Sequence, residues 1–123
     1  MNPQSVIDES RPMLTEFLCD VGLHQDSDNL DLARVRDPFS AWVEQQTVTD
    51  DDRFYLASRL GAFICEYLID CHNAERAIVE NRIVVRMLVD DTIAREFEPY
   101  PIAIGIADKK QTLTLFLAEL CGQ

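Results

Sequence analysis

Residues 49–71 read TDDDRFYLASRLGAFICEYLIDC, and their periodicity decides the fold. Thr49 stands where a helix needs a side-chain oxygen for its first free N–H groups, and Asp50, Asp51 and Asp52 place carboxylates at the positive end of the helix dipole. Beyond them Phe54, Ala57, Gly61, Ile64, Leu68 and Cys71 recur at helical intervals of three and four. Leu56, Leu60, Phe63 and Tyr67 widen that stripe to more than half the circumference. A helix apolar over so wide an arc is packed on two sides, so residues 53–71 are predicted to be the central and most buried element. Gly61 lies on the stripe, which predicts a close approach by another segment there. Ser58, Arg59, Ala62, Glu66 and Asp70 fall on the remaining face.

After this helix the period changes. Residues 77–79 and 82–89 are β-branched runs around Glu80-Asn81, which predicts a hairpin, since Asn tolerates the positive φ that a two-residue turn demands. Ile83, Val85, Met87 and Val89 share one face; Arg82, Val84, Arg86 and Leu88 share the other, which the arginines keep partly wet. Residues 101–110 fit two periods, because Ile102, Ile104 and Ile106 alternate while Ile102/Ile106 and Ala103/Ala107 repeat at four. Pro101 as an opener and Asp108-Lys-Lys110 as a closer favour a short helix. A last helix is predicted from about Thr112 to Cys121, with Gly122 after it.

Upstream, Met13, Leu14, Phe17, Leu18 and Val21 predict a helix from about Pro12, ended by Gly22. Ser27 or Asp28 is placed to cap a second segment running through Val35, and Pro38 is expected to break it before a short turn carrying Phe39, Trp42 and Val43. The fold class that follows is α+β: N-terminal helices and a buried central helix packed on a small antiparallel hairpin or sheet, closed by a C-terminal helix. The 123 residues suffice for one domain, 1–123, and not for two cores.

Hydrophobic residues at 47% and charged residues at 27% describe a folding chain rather than a disordered one. The longest apolar run, Leu60–Ile69, is interrupted by Glu66 and is far shorter than a membrane span. Asp8 and Glu9 occupy the place of a signal peptide's apolar stretch, so a cytoplasmic location is expected. The net charge is −11, with −9 in residues 1–52 and −2 in residues 53–123. Nucleic acid and anionic membranes are poor partners for such a field. Cys19, Cys65, Cys71 and Cys121 are read as reduced thiols; the closest two are six apart, a spacing unsuited to a zinc or redox pair.

Residues 53–120 carry, in order, the step Gly61-Ala-Phe-Ile-Cys-Glu66, a hairpin, the segment Phe97-Glu-Pro-Tyr-Pro101 and a closing Leu/Phe helix. This sequence of features resembles a type of small bacterial α+β domain of unknown function. The resemblance covers a little over half the chain and implies the fold; it brings no activity with it.

Two groups of residues are candidate sites. Phe39 and Trp42, beside Pro38 and near acidic Glu44, form an aromatic patch, and with Asp26, Asp28, Asp31, Asp50, Asp51 and Asp52 they suggest a surface for a partner protein with a basic face. Asp26-Ser-Asp-Asn-Leu-Asp31 does not form a calcium loop: Leu30 stands at a ligand position, Asp31 where Gly is needed, and Asp37 where a bidentate Glu is needed. The second group is a pocket at the helix–hairpin junction. Glu66 and Asp70 share a helix face with His72 near, and a buried Glu66 requires Arg82 or Arg86 as its partner. The chain has no nucleophile elbow and no phosphate loop, and no catalytic residue, cofactor or metal is implied. The expected function is non-catalytic binding of another protein, in the manner of an adaptor, chaperone-like or toxin-neutralising module. The rivals are an enzyme or ligand-binding domain using the Glu66 group, and a structural homodimer.

Overall fold

The computed structural model describes residues 3–24 and 31–120, which form helices α1 (Pro3–Asp20), α2 (Leu32–Gln45), α3 (Asp50–Cys71), α4 (Pro99–Ala107) and α5 (Leu113–Leu120). Between α3 and α4 run strands β1 (Ala74–Val79), β2 (Arg82–Val89) and β3 (Thr92–Phe97). The class is α+β as expected, with the strands in an antiparallel sheet of order β1-β2-β3.

The centre is α3. Thr49 caps it, accepting from the Asp52 N–H at 3.3 Å, and residues 60–68 are buried without interruption. It packs against α1, α2, α4 and β1, and one cluster of buried side chains joins it to Leu14, Phe39, Val85, Ile106 and Leu113. Each such Leu, Ile or Phe contributes about 1.5–3 kcal/mol by leaving water. The close approach at Gly61 is present: a Cβ there would fall on the Tyr100 ring of α4. The predicted stripe fails at both margins. Phe54, assigned to the stripe, is 65% exposed, its ring beside the Arg53 guanidinium. Ala62 and Glu66, assigned to the open face, are buried at 0% and 5% because α3 is enclosed on that side too.

Three boundaries are corrected. Helix α1 starts at Pro3, so Pro12 lies mid-helix; Gly22 ends the helix at φ +81°, with the Leu23 N–H on the Leu18 carbonyl and the Gly22 N–H on Cys19. Helix α2 runs unbroken through Pro38, since Leu32, Val35, Phe39 and Val43 bury one continuous stripe on both sides of the ring, and that burial offsets the missing hydrogen bond. Its cap is Asp31, accepting from the Ala33 and Arg34 N–H groups; the expected caps Ser27 and Asp28 lie outside the described residues. Helix α4 forms as favoured, opening at Pro99 rather than Pro101. In α5 the Thr112 hydroxyl accepts from Leu115 N–H; Cys121 and Gly122 lie outside the described residues.

The hairpin turns at Glu80 and Asn81, both left-handed (φ 51° and 68°). A second turn of the same kind at Asp90 and Asp91 (φ 53° and 64°) adds β3, which the sequence reading missed. Ile83, Val85 and Met87 face the core as predicted, while Val89, placed on the same face, is 60% exposed at the strand's end. The segment between α4 and α5 returns to the helical layer: Arg53 holds Asp108 through two hydrogen bonds of 2.7 and 2.9 Å, and Lys109 Nζ donates to the carbonyls of Val43 and Glu44. The end of α2 and the start of α3 are thereby fastened together by residues far along the chain.

Candidate functional site

The aromatic candidate becomes a groove. The last turns of α1 and α2 and the first turns of α3 enclose about 280 Å³ lined by Phe17, Val21, Trp42, Val48, Tyr55 and Leu56, with Asp20 and Asp52 on its rim. Phe17 meets Trp42 and Tyr55 edge-on at 5.5 and 6.0 Å between ring centres. The Arg59 guanidinium lies 3.9 Å from the centre of the Tyr55 ring, holding that ring from its outer side. Phe39 is not part of the surface: it is fully buried and stacks beneath Trp42 at 6.2 Å, so it supports the indole rather than offering itself.

The acidic candidates separate. Asp52 stands on the rim and takes a hydrogen bond from the Thr49 hydroxyl, while Asp50 and Asp51 are exposed in the same first turn of α3. Asp31 caps the other end of α2, about 16 Å along the helix from Trp42 at 1.5 Å per residue, so it does not join the groove. Asp26 and Asp28 lie outside the described residues. Phe17, Asp20 and Tyr55 were missed, because sequence spacing within one helix cannot show that three helix ends converge.

The junction candidate also changes membership. Glu66 is buried and paired, but with Arg76 of β1 at 3.0 Å and Arg11 of α1 at 4.0 Å. Arg11 also holds Asp70 at 2.7 Å. Arg82 and Arg86 lie on the opposite face of the sheet, where they bind Glu98 with Glu80, and Glu96. The pairing explains why. Arg76 stands opposite Val85 and shares its core-facing side, whereas Arg82 and Arg86 alternate to the other. Beginning β1 at Ala74 instead of Ala77 would have revealed this parity. His72 turns away from the carboxylates: its Nε2 lies 3.2 Å from the Tyr67 hydroxyl, which also accepts from Arg36 at 3.0 Å.

Electrostatically the Glu66 group is a closed network. Burial raises the Glu66 carboxyl above its ordinary range, and Arg76 and Arg11 pull it back. Burial likewise pushes the Cys65 thiol up to about 12 and the Tyr100 phenol upward. A carboxylate clamped by two guanidinia beside an un-ionised thiol and phenol is a structural arrangement, with both oxygens already engaged. Cys19, Cys65 and Cys71 are free thiols.

Among the described residues no cluster of three or more His, Cys, Asp or Glu is placed to hold a metal ion, and no helix is long and apolar enough to cross a membrane. Comparison with protein-family models, with curated proteins and with solved structures gives no match. The resemblance noted for residues 53–120 therefore rests on its motifs alone.

Proposed function

We propose that the protein is a non-catalytic protein-binding module, acting in the cytoplasm, which takes a basic amphipathic segment of a partner into the groove between α1, α2 and α3. The observation that carries this reading is the groove itself: an aromatic wall of Phe17, Trp42 and Tyr55 bounded by Asp20 and Asp52. Residues 1–52, which supply two of its three helices, account for −9 of the chain's net charge of −11. Aromatic side chains bury much area at little entropic cost and anchor interfaces, while a one-signed rim selects partners of opposite charge and speeds their encounter. Tyr55, exposed yet braced by Arg59, is already ordered for contact.

Trp42 is the sole tryptophan and reports directly on the groove. Titration with a Leu/Lys amphipathic helical peptide is expected to blue-shift its fluorescence saturably, with affinity falling severalfold between about 50 and 300 mM salt. A matched Leu/Glu peptide should leave the spectrum unchanged. Equal responses to both peptides, or none to either, would defeat the reading.

A further inference from the structure

β1 is an edge strand, bonded to β2 on one side only. The ladder's parity is set at both ends. Val79 and Arg82 flank the two-residue turn and so form a hydrogen-bonded pair, and Leu88 N–H donates to the Asn73 carbonyl at 3.2 Å. Residues 73, 75, 77 and 79 therefore spend their backbone groups on β2. The N–H and C=O groups of Ala74, Arg76 and Ile78 point the other way, and no described residue hydrogen-bonds them. Beside them lies an open groove of about 560 Å³, lined by Gln4, Ile69, Ala74, Arg76 and Ile78 among others. Ile78 is 40% exposed on it.

The two edges of the sheet differ. β3 is bent by the register shift at Met87/Leu88, a feature that discourages pairing. β1 pairs without a shift, its ladder regular from Ala74 to Val79. We propose that a second copy of this chain occupies the β1 edge, the two β1 strands pairing antiparallel about a two-fold axis at Arg76. In that register every outward N–H and C=O of Ala74, Arg76 and Ile78 finds a partner. The chain's own side chains favour it: Ile78 of the partner subunit falls opposite Ala74, large against small, next to Ile69. Arg76 faces its twin, but each guanidinium is already compensated by its own Glu66 at 3.0 Å. On the other side of the sheet Glu75 meets Ala77 of the partner subunit, so no two carboxylates oppose each other.

The test is mass against concentration. Light scattering or sedimentation over roughly 1 to 200 µM protein should show the mass rising from the 14.1 kDa of one chain toward twice that value. Ile78→Pro removes only an outward N–H and leaves the β1–β2 ladder intact, so it should weaken association at least tenfold. Ile78→Lys, with folding checked by circular dichroism, serves if the proline variant is unfolded. Two copies of net charge −11 repel, so salt should strengthen this association. It should weaken binding at the aromatic groove, and the two interfaces fail independently. A wild-type chain that stays monomeric throughout would overturn the proposal and leave the edge to a foreign strand. A dimer indifferent to both Ile78 variants would overturn it by placing the contact elsewhere.

Discussion

The two ends of α3 are built from the same kinds of residue and meet opposite fates. At its start Arg53, Phe54, Tyr55 and Arg59 combine aromatics with guanidinia, and two of the rings stand more than half exposed. In its second half Phe63, Glu66 and Tyr67 combine aromatics with a carboxylate, and all three are buried. What differs is the cover. Tyr100, Arg76 and Arg11 arrive over the second half from α4, β1 and α1. Polarity within a helix therefore reports how a residue could be satisfied; burial depends on which element comes to satisfy it.

The largest effect should come from uncovering the charge in the second half. Arg76→Met leaves Glu66 with Arg11 alone, at 4.0 Å, and is expected to cost about 3 kcal/mol in urea unfolding. Replacing Arg76 and Glu66 together by Leu should recover most of it; an equally unstable double variant would show that packing, not charge, is at stake. Because burial raises the Glu66 carboxyl, the folded chain holds that proton to higher pH than the unfolded chain does. Stability from this group thus falls as pH rises above its unfolded value of about 4.3. Glu66→Gln should gain on wild type as pH rises above that value, and a constant gap would contradict the upward direction.

Next in size is the Tyr100 contact. Gly61→Ala puts a methyl group into the ring's position, so about 1–3 kcal/mol should be lost; an unchanged melting temperature would mean that α4 yields freely. At the helix start, Thr49→Ala removes the cap on the Asp52 N–H and should cost about 1 kcal/mol. The smallest change is expected at Phe54. Its ring is 65% exposed, with the Arg53 guanidinium 5.1 Å from the ring centre. Phe54→Ser should stay within about 0.5 kcal/mol of wild type, and a larger loss would erase the contrast between the two ends.

The contrast also marks what could be read in advance. Thr49 with three aspartates announced α3, and Glu80-Asn81 announced the hairpin, because caps and tight turns are chemistry between neighbours in sequence. Strand β3 was invisible: it is exposed along nearly its whole length, so no apolar alternation marks it. Pro38 misled because a continuous buried stripe outweighs one missing N–H, and Pro12 because it stands inside α1 rather than in its first turn. The groove and the Glu66 network escaped for a common reason. Phe17, Trp42 and Tyr55 come from three helices, and Arg11, Glu66 and Arg76 from two helices and a strand, so each grouping exists only after long-range packing.

Lys109 reaches back across 66 positions to the Val43 carbonyl. A clasp spanning so much chain closes only after the intervening segments have lost most of their freedom, which places it late in the order of folding events. The wall of the aromatic groove contributed by the α2–α3 connection is then finished after the core, and opens before it. Lys109→Met should accordingly steepen escape from the native state while leaving the rate of reaching it almost unchanged. Stopped-flow chevrons would read this as a raised unfolding limb over a stationary folding limb, and a slowed folding limb would instead make the clasp part of the nucleus.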